Sequence, residues 1–308
     1  MHVRINKKII GLVTRILCTA LLCTVAPVTL SADWLPFRLE RGHIMVDVQV
    51  AGVPAEAMLD SGAMANMISN RFIEKHELEF ARSGKVRAKG VNSVETIPLY
   101  NNVPLSIYGV DISLDKVAAS SFRSADLILG SGFFRSGILQ IDYPNSRLRF
   151  LDKKAVDLKK HANVSMRQAS ESLLPAVEIV LQGEETWLLF DTGNSGGLVL
   201  KRSFALGRGL YDDNTASEQF IAAGINTIAT YERFALDSVI VGPYELTDVV
   251  TAIPAEGQSA NIGERQYAAT GTRLQRGVKT NGLLGYDVLK HFVITVDYKN
   301  YRMHIHAP

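Results

Sequence analysis

Two cysteines, Cys18 and Cys23, are all that the 308 residues contain, and both lie near the start. The remainder therefore excludes a disulfide framework, a thiolate metal site and a cysteine nucleophile. A membrane-length apolar run is also missing. The uninterrupted apolar stretch, from Ile16 to about Leu30, is shorter than the ~20 residues that span a bilayer. It follows a basic start (Arg4, Lys7, Lys8 and Arg15, with no acid) and ends at Ser31-Ala32 before the polar Asp33. A basic start, a short greasy middle and small residues at the end describe a secretory signal peptide. Residues 1–32 are therefore expected to be removed, giving a periplasmic or secreted chain with no stable membrane span. Bulky residues before Cys18 and Cys23 argue against a lipid anchor. An excess of one charge is lacking too: without the four leader cations, 29 basic residues face 31 acidic ones. That near balance gives no reason to propose nucleic acid as a partner. About 275 residues remain, enough for one large domain or two lobes with real cores.

What the chain does have is itself, twice. "HIMVDVQVAGVPAEAMLDSGAMANMIS" lies over "LPAVEIVLQGEETWLLFDTGNSGGLVL" without a gap, at a displacement of 131 residues. Asp60-Ser61-Gly62 then falls on Asp191-Thr192-Gly193. "AKGVNS" (88–93) matches "AAGINT" (222–227), and "LILGSGFFRSGILQIDYPNSRLRF" (127–150) matches "GLLGYDVLKHFVITVDYKNYRMHI" (282–305). The order is the same in both halves, which identifies a duplication. The offset grows to 155 because the second half carries extra residues, assigned to the Gly-, Ala- and Ser-rich stretch 254–277, read as a surface loop.

Alternation of apolar and polar residues in "MVDVQVAG" and "AVEIVLQG" predicts half-buried strands, and "AEAMLD" and "TWLLFD" predict buried strands running up to an acid. "LQIDYPNSRLRF" and "ITVDYKNYRMHI" read as hairpins turning at Asn. Helical periodicity is scarce, best in "SNRFIEKHEL" and "LKRSFALGRG". The expected architecture is all-β and two-lobed: a first lobe over 33–158, a polar linker over 159–166 and a second lobe over 167–308.

One Asp-[Ser/Thr]-Gly is weak evidence, since chance supplies it in roughly one chain in eight of this length. Two copies at equivalent places are much more specific. An acid at a strand end in each lobe lets two carboxyls meet across the interface. So close, they cannot both ionise cheaply and must share a proton. The charged member can act as general base on a water while the protonated one donates to a carbonyl. Gly62 and Gly193 are expected to let the backbone turn sharply, and the Ser61 and Thr192 hydroxyls to bond across the interface.

With "LDSGA" (59–63) and "LILG" (127–130) in one half and "FDTGN" (190–194) and "GLLG" (282–285) in the other, the chain resembles the pepsin/retropepsin superfamily of aspartic proteases. It looks most like bacterial secreted proteins with two retropepsin-like repeats in one polypeptide. The resemblance implies Asp60 and Asp191 as a catalytic dyad, supported by Ser61, Gly62, Thr192 and Gly193, in a cleft that takes a peptide or protein substrate. It implies no cofactor and no metal, and a monomer suffices because both acids lie on one chain. Flap candidates are Lys89, Gly90 and Val91 in the first half and Ala223, Gly224 and Ile225 in the second. The departures are the absence of a flap tyrosine, Asn194 where Ala or Ser is usual, and "GSGFF" without the acid of "GYDVL".

Two other readings compete. "GNSGG" looks like a serine-protease nucleophile loop, with Ser195 preceded by His76 and Asp111 in the required order. Against it, the duplication makes the counterpart of Ser195 a methionine, Met64, and a scaffold position. The second competitor is a retropepsin-like fold that binds a peptide or partner without cutting it. His304 and His306 alternate on a predicted last strand without a visible third ligand, and Trp187 reads as core.

Overall fold

The computed structural model describes residues 33–89, 94–212, 214–215, 217–224, 227–258 and 277–308. The expected leader 1–32, the flap-tip candidates Gly90, Val91 and Ile225, and the bulk of the expected 254–277 loop lie outside these residues.

Each half folds around a ten-stranded sheet, and a third sheet of five strands joins them. The fold is all-β and two-lobed, and the two large sheets share one wiring. In the first half the strands His43–Val50 and Val53–Leu59 form a hairpin, with Val46 opposite Ala57. The second of these pairs in parallel with Leu127–Leu129, Leu59 lying beside Leu129. In the second half Pro175–Leu181 and Glu184–Phe190 form the matching hairpin, and Phe190 lies beside Leu284 of Gly282–Leu284. The alternation read from sequence is borne out: in His43–Val50 the residues Val46, Val48 and Val50 are buried while Asp47 and Gln49 face solvent. The runs before each acid are buried at Met58 and Leu59 and at Leu188, Leu189 and Phe190.

The two helical windows fold as short helices, Asn70–Lys75 and Arg202–Gly207, just downstream of the acids. The hairpins turn as their asparagines predict. Asn145 donates from its main chain and side chain to Asp142, and Asn300 does the same to Asp297. The inner strands of these hairpins, Ile138–Asp142 and Val293–Asp297, pair antiparallel with each other, Leu139 opposite Val296. This seam ties one half to the other.

One hydrophobic cluster runs through both halves. At the seam the Phe134 and Tyr298 rings lie 5.5 Å apart, and both are fully buried. Side chains of this size each contribute roughly 1.5–3 kcal/mol on burial. Within the expected linker Val164 and Met166 are buried, and just before it Leu158 is buried and Asp157 accepts from the main-chain N–H groups of Lys159 and Lys160 at the start of a short helix.

Candidate active site

The same strand pairing delivers both acids. Asp60 N–H donates to the Leu129 carbonyl and Asp191 N–H to the Leu284 carbonyl, each at 3.1 Å, so each acid leaves its strand at the parallel partner's end. The chain then turns back over each carboxyl. Asp60 Oδ1 accepts from Gly62 and Ala63 N–H, both at 2.9 Å, and Asp191 Oδ1 accepts from Gly193 N–H at 2.9 Å.

The two turns meet. Ser61 N–H donates to Thr192 Oγ1 at 2.9 Å and Thr192 N–H donates to Ser61 Oγ at 2.9 Å. Each hydroxyl passes its own proton onward, Ser61 Oγ to the Phe190 carbonyl and Thr192 Oγ1 to the Leu59 carbonyl, both at 2.8 Å. The expected bonds across the interface therefore exist, but they run from hydroxyl to main chain rather than hydroxyl to hydroxyl. Both side chains are fully buried, so these four bonds satisfy groups that water does not reach.

Gly62 and Gly193 sit at these turns with their N–H groups against the carboxyls, and they have a second part that the sequence did not suggest. Neither has a left-handed φ. What each supplies is room for the acid of the other half. A Cβ on Gly62 would lie 2.4 Å from Asp191 Oδ1, and one on Gly193 would lie 2.3 Å from Asp60 Cγ. Sequence reasoning had no signal for this crossing, because it exists only once the lobes meet.

The carboxyls are hydrogen-bonded to each other. Burial raises Asp60 above the usual aspartate range, opposed by Gly62 N–H, the bond from Asp191 and Ala63 N–H. Asp191 is raised further, first by burial and then by the negative charge of Asp60, with the N–H groups of Gly193 and Asn194 pulling the other way. Such a pair carries one proton between its two carboxyls.

Of the flap candidates, Lys89 ends the strand Ala81–Lys89, which pairs antiparallel with Val94–Asn101. Ala223 and Gly224 end Glu218–Gly224, paired with Thr227–Leu236. Both segments are hairpins, as expected; their tips are outside the described residues.

The serine constellation does not assemble. Ser195 is exposed, His76 lies against Phe72 at 4.8 Å, and Asp111 is exposed on the strand Val110–Leu114. Among the described residues no hydrogen bond joins the three. The His304 Nδ1–H group donates to the His161 carbonyl at 2.7 Å. Trp187 packs against the core with Arg167 over its ring at 5.6 Å.

Two residues near the acids lie in the duplicated segments but were given no part. Tyr298 O–H donates to the Ser61 carbonyl at 2.8 Å. Asn66 Oδ1 accepts from the Gly130 and Phe133 N–H groups at 3.0 and 3.3 Å, holding the loop after Asp60 to the short helix Ser131–Phe134. The repeated Asp-Tyr pair was the available signal for the tyrosine.

The family model described as "Aspartyl protease" matches residues 46–133, which contain Asp60, Asn66 and the Leu129-Gly130 turn. Among solved structures, the solution structure of Simian Foamy Virus (mac) protease matches at 16% identity, covering 28% of this chain and 86% of that one, with a TM-score of 0.23. A likeness at that score adds nothing to the fold argument. No curated protein matches the chain. The family match thus falls on the strand–acid–turn unit of the first half, and the second half repeats the same wiring.

Proposed function

We propose that this chain is an exported aspartic endopeptidase in which Asp60 and Asp191 activate one water against a peptide carbonyl. The observation that carries the reading is the hydrogen-bonded pair of carboxyls, each roofed by main-chain N–H groups and set between the two halves. Asp60, with two close N–H donors, is the better-stabilised anion and serves as the base. Asp191 holds the proton and serves as the acid.

In the addition step the water oxygen bonds to the carbonyl carbon, its proton passes to Asp60, and Asp191 gives its proton to the carbonyl oxygen. Collapse of the resulting diol breaks the C–N bond. The nitrogen takes the proton from Asp60, and a diol hydroxyl returns one to Asp191. No covalent intermediate forms and no metal is used. Turnover is expected to peak on the acid side of neutrality, where the pair carries one proton.

The test is incubation of residues 33–308 with a mixed peptide library across pH 4–8, with and without a statine-type mimic of the diol. Asp60→Asn and Asp191→Asn run alongside, each expected to lose turnover by on the order of 10³-fold or more. A folded wild-type chain that cuts nothing but retains peptides would replace this reading with a binding role. A flat pH–rate profile over that range would count against the shared proton.

A further inference from the structure

Two tyrosines hold matching places in the duplication, and only one is bonded. Tyr143 and Tyr298 each follow the buried aspartate that ends a seam strand, Asp142 or Asp297. Both rings are buried as well. Tyr298 reaches across to the other half and braces the turn after Asp60 through the Ser61 carbonyl. The Tyr143 hydroxyl, the matching donor from the first half, has no hydrogen-bond partner among the described residues. Buried donors without partners are rare and destabilising, so one beside a dyad calls for a state in which it is used.

Its surroundings set it on the Asp191 side. The Tyr143 ring lies 6.1 Å from Tyr286, and Tyr286 N–H donates at 2.9 Å to the Asn194 carbonyl in the turn that follows Asp191. Phe37 closes another side, edge-on at 6.2 Å. Burial, then the charge of Asp191, then Tyr286 push the Tyr143 phenol far above its ordinary range, so it stays a donor throughout.

We propose that Tyr143 is a positioning residue for Asp191: its hydroxyl is unengaged while Asp191 holds the shared proton and donates to the Asp191 side when the negative charge moves there. The proposal rests on the dyad chemistry set out above. During addition the anion passes from Asp60, which has two N–H donors at 2.9 Å, to Asp191, which has one at that distance, from Gly193, with Asn194 N–H as a weaker second. The spare O–H supplies what the second turn lacks.

Tyr143→Phe removes the hydroxyl and keeps the ring. The first readout needs no activity: a ¹³C carboxyl NMR titration of the folded protein, with Asp191 assigned by the signal missing in Asp191→Asn. In Tyr143→Phe the pH at which the pair loses its last proton should rise by about one unit, because the anion at Asp191 has lost a donor. The second readout is turnover. kcat should fall about tenfold with KM within about twofold of wild type, and the alkaline limb of the kcat profile should move to higher pH.

Tyr298→Phe is the contrast: it should lower Tm through the orphaned Ser61 carbonyl, while Tyr143→Phe should not. The other charged or titratable groups facing this corner are Asp60, Tyr298 with Arg135 over its ring, and Tyr286, Asp287 and Lys290 on the short helix after Gly285. Arg41 and His43 flank Gly42, whose added Cβ would lie 3.0 Å from the Tyr286 ring. Burial pushes the His43 imidazole down, so the titration is repeated in His43→Gln.

An unshifted carboxyl titration in Tyr143→Phe overturns the proposal whatever kcat does. A shifted titration in a protein that cleaves no peptide overturns the protease reading and leaves Tyr143 in place. Tyr143→Leu, which also lacks the hydroxyl, is read the same way if the phenylalanine variant does not fold.

Discussion

Behind Asp60 the loop is held by Asn66, whose Oδ1 takes two N–H groups from the turn and helix after Leu129. Behind Asp191 the position equivalent to Asn66 is Gly197, and an asparagine stands three residues earlier, at Asn194. There Oδ1 accepts from Gly196 N–H at 3.2 Å, Nδ2 donates to the Gly197 carbonyl at 3.2 Å, and the main-chain carbonyl takes Tyr286 N–H. Gly197 in turn accepts from Gly285 N–H at 2.9 Å. The same junction is therefore closed by a buried side-chain amide in one half and largely by main chain in the other. This accounts for the unusual Asn194: it braces its own loop. It also shows that duplicated halves can keep one geometry while dividing its hydrogen bonds differently.

The largest way to break that comparison is to fill the space each acid takes from the other half. Gly62→Ala puts a methyl on Asp191 and Gly193→Ala puts one on Asp60. Each should cost turnover on the order of 10²-fold by displacing a carboxyl, read in a peptide-cleavage assay with folding checked by circular dichroism. A fully active Gly62→Ala would mean the acids sit apart.

Next come the two hydroxyls that lock the turns. Ser61→Ala and Thr192→Ala each strand a buried N–H and a buried carbonyl of the opposite half. Each should lose about 2–4 kcal/mol in denaturant unfolding, with Thr192→Ser retaining most of it. Equal, small losses below about 0.5 kcal/mol would mean water reaches the turns.

The asparagines sharpen the contrast between halves. Asn66→Ala strands two buried N–H groups and should lose roughly 1–3 kcal/mol. Asn194→Ala, on a half-buried loop already held by main chain, should lose less. Equal losses would remove the asymmetry.

The smallest effect is a slope. Both acids are raised in the folded chain, so folding favours their protonated forms. That contribution is fully present below the ordinary aspartate value near about 3.9 and is lost as pH rises through the folded values. Asp191→Asn should therefore gain in Tm relative to wild type between pH 4 and 8, as followed by thermal melts. A constant difference would mean that the pair is not strained by charge.

Much of this was legible in the order of residues. Duplication alone equated Asp60 with Asp191 and placed each at a strand end, and Asn145 and Asn300 marked the hairpin turns, because period and turn chemistry are local. The crossing of Gly62 and Gly193 was not legible, since it depends on contacts between the two halves, Gly62 with Asp191 and Gly193 with Asp60. Nor was the strand Leu35–Pro36, which pairs with Arg147–Leu151, or Trp34 between the guanidinium groups of Arg147 and Arg149 at 4.4 and 4.3 Å. A two-residue strand has no periodicity to read.

The seam between Ile138–Asp142 and Val293–Asp297 has a consequence for anyone who cuts the gene in two. On one side each of those strands pairs within its own hairpin and on the other side only with the opposite half, so either fragment made alone would present a naked row of amides and carbonyls. Such a border invites a second copy of itself. The fragments should self-associate when expressed singly, and mixing them should return a one-to-one pair.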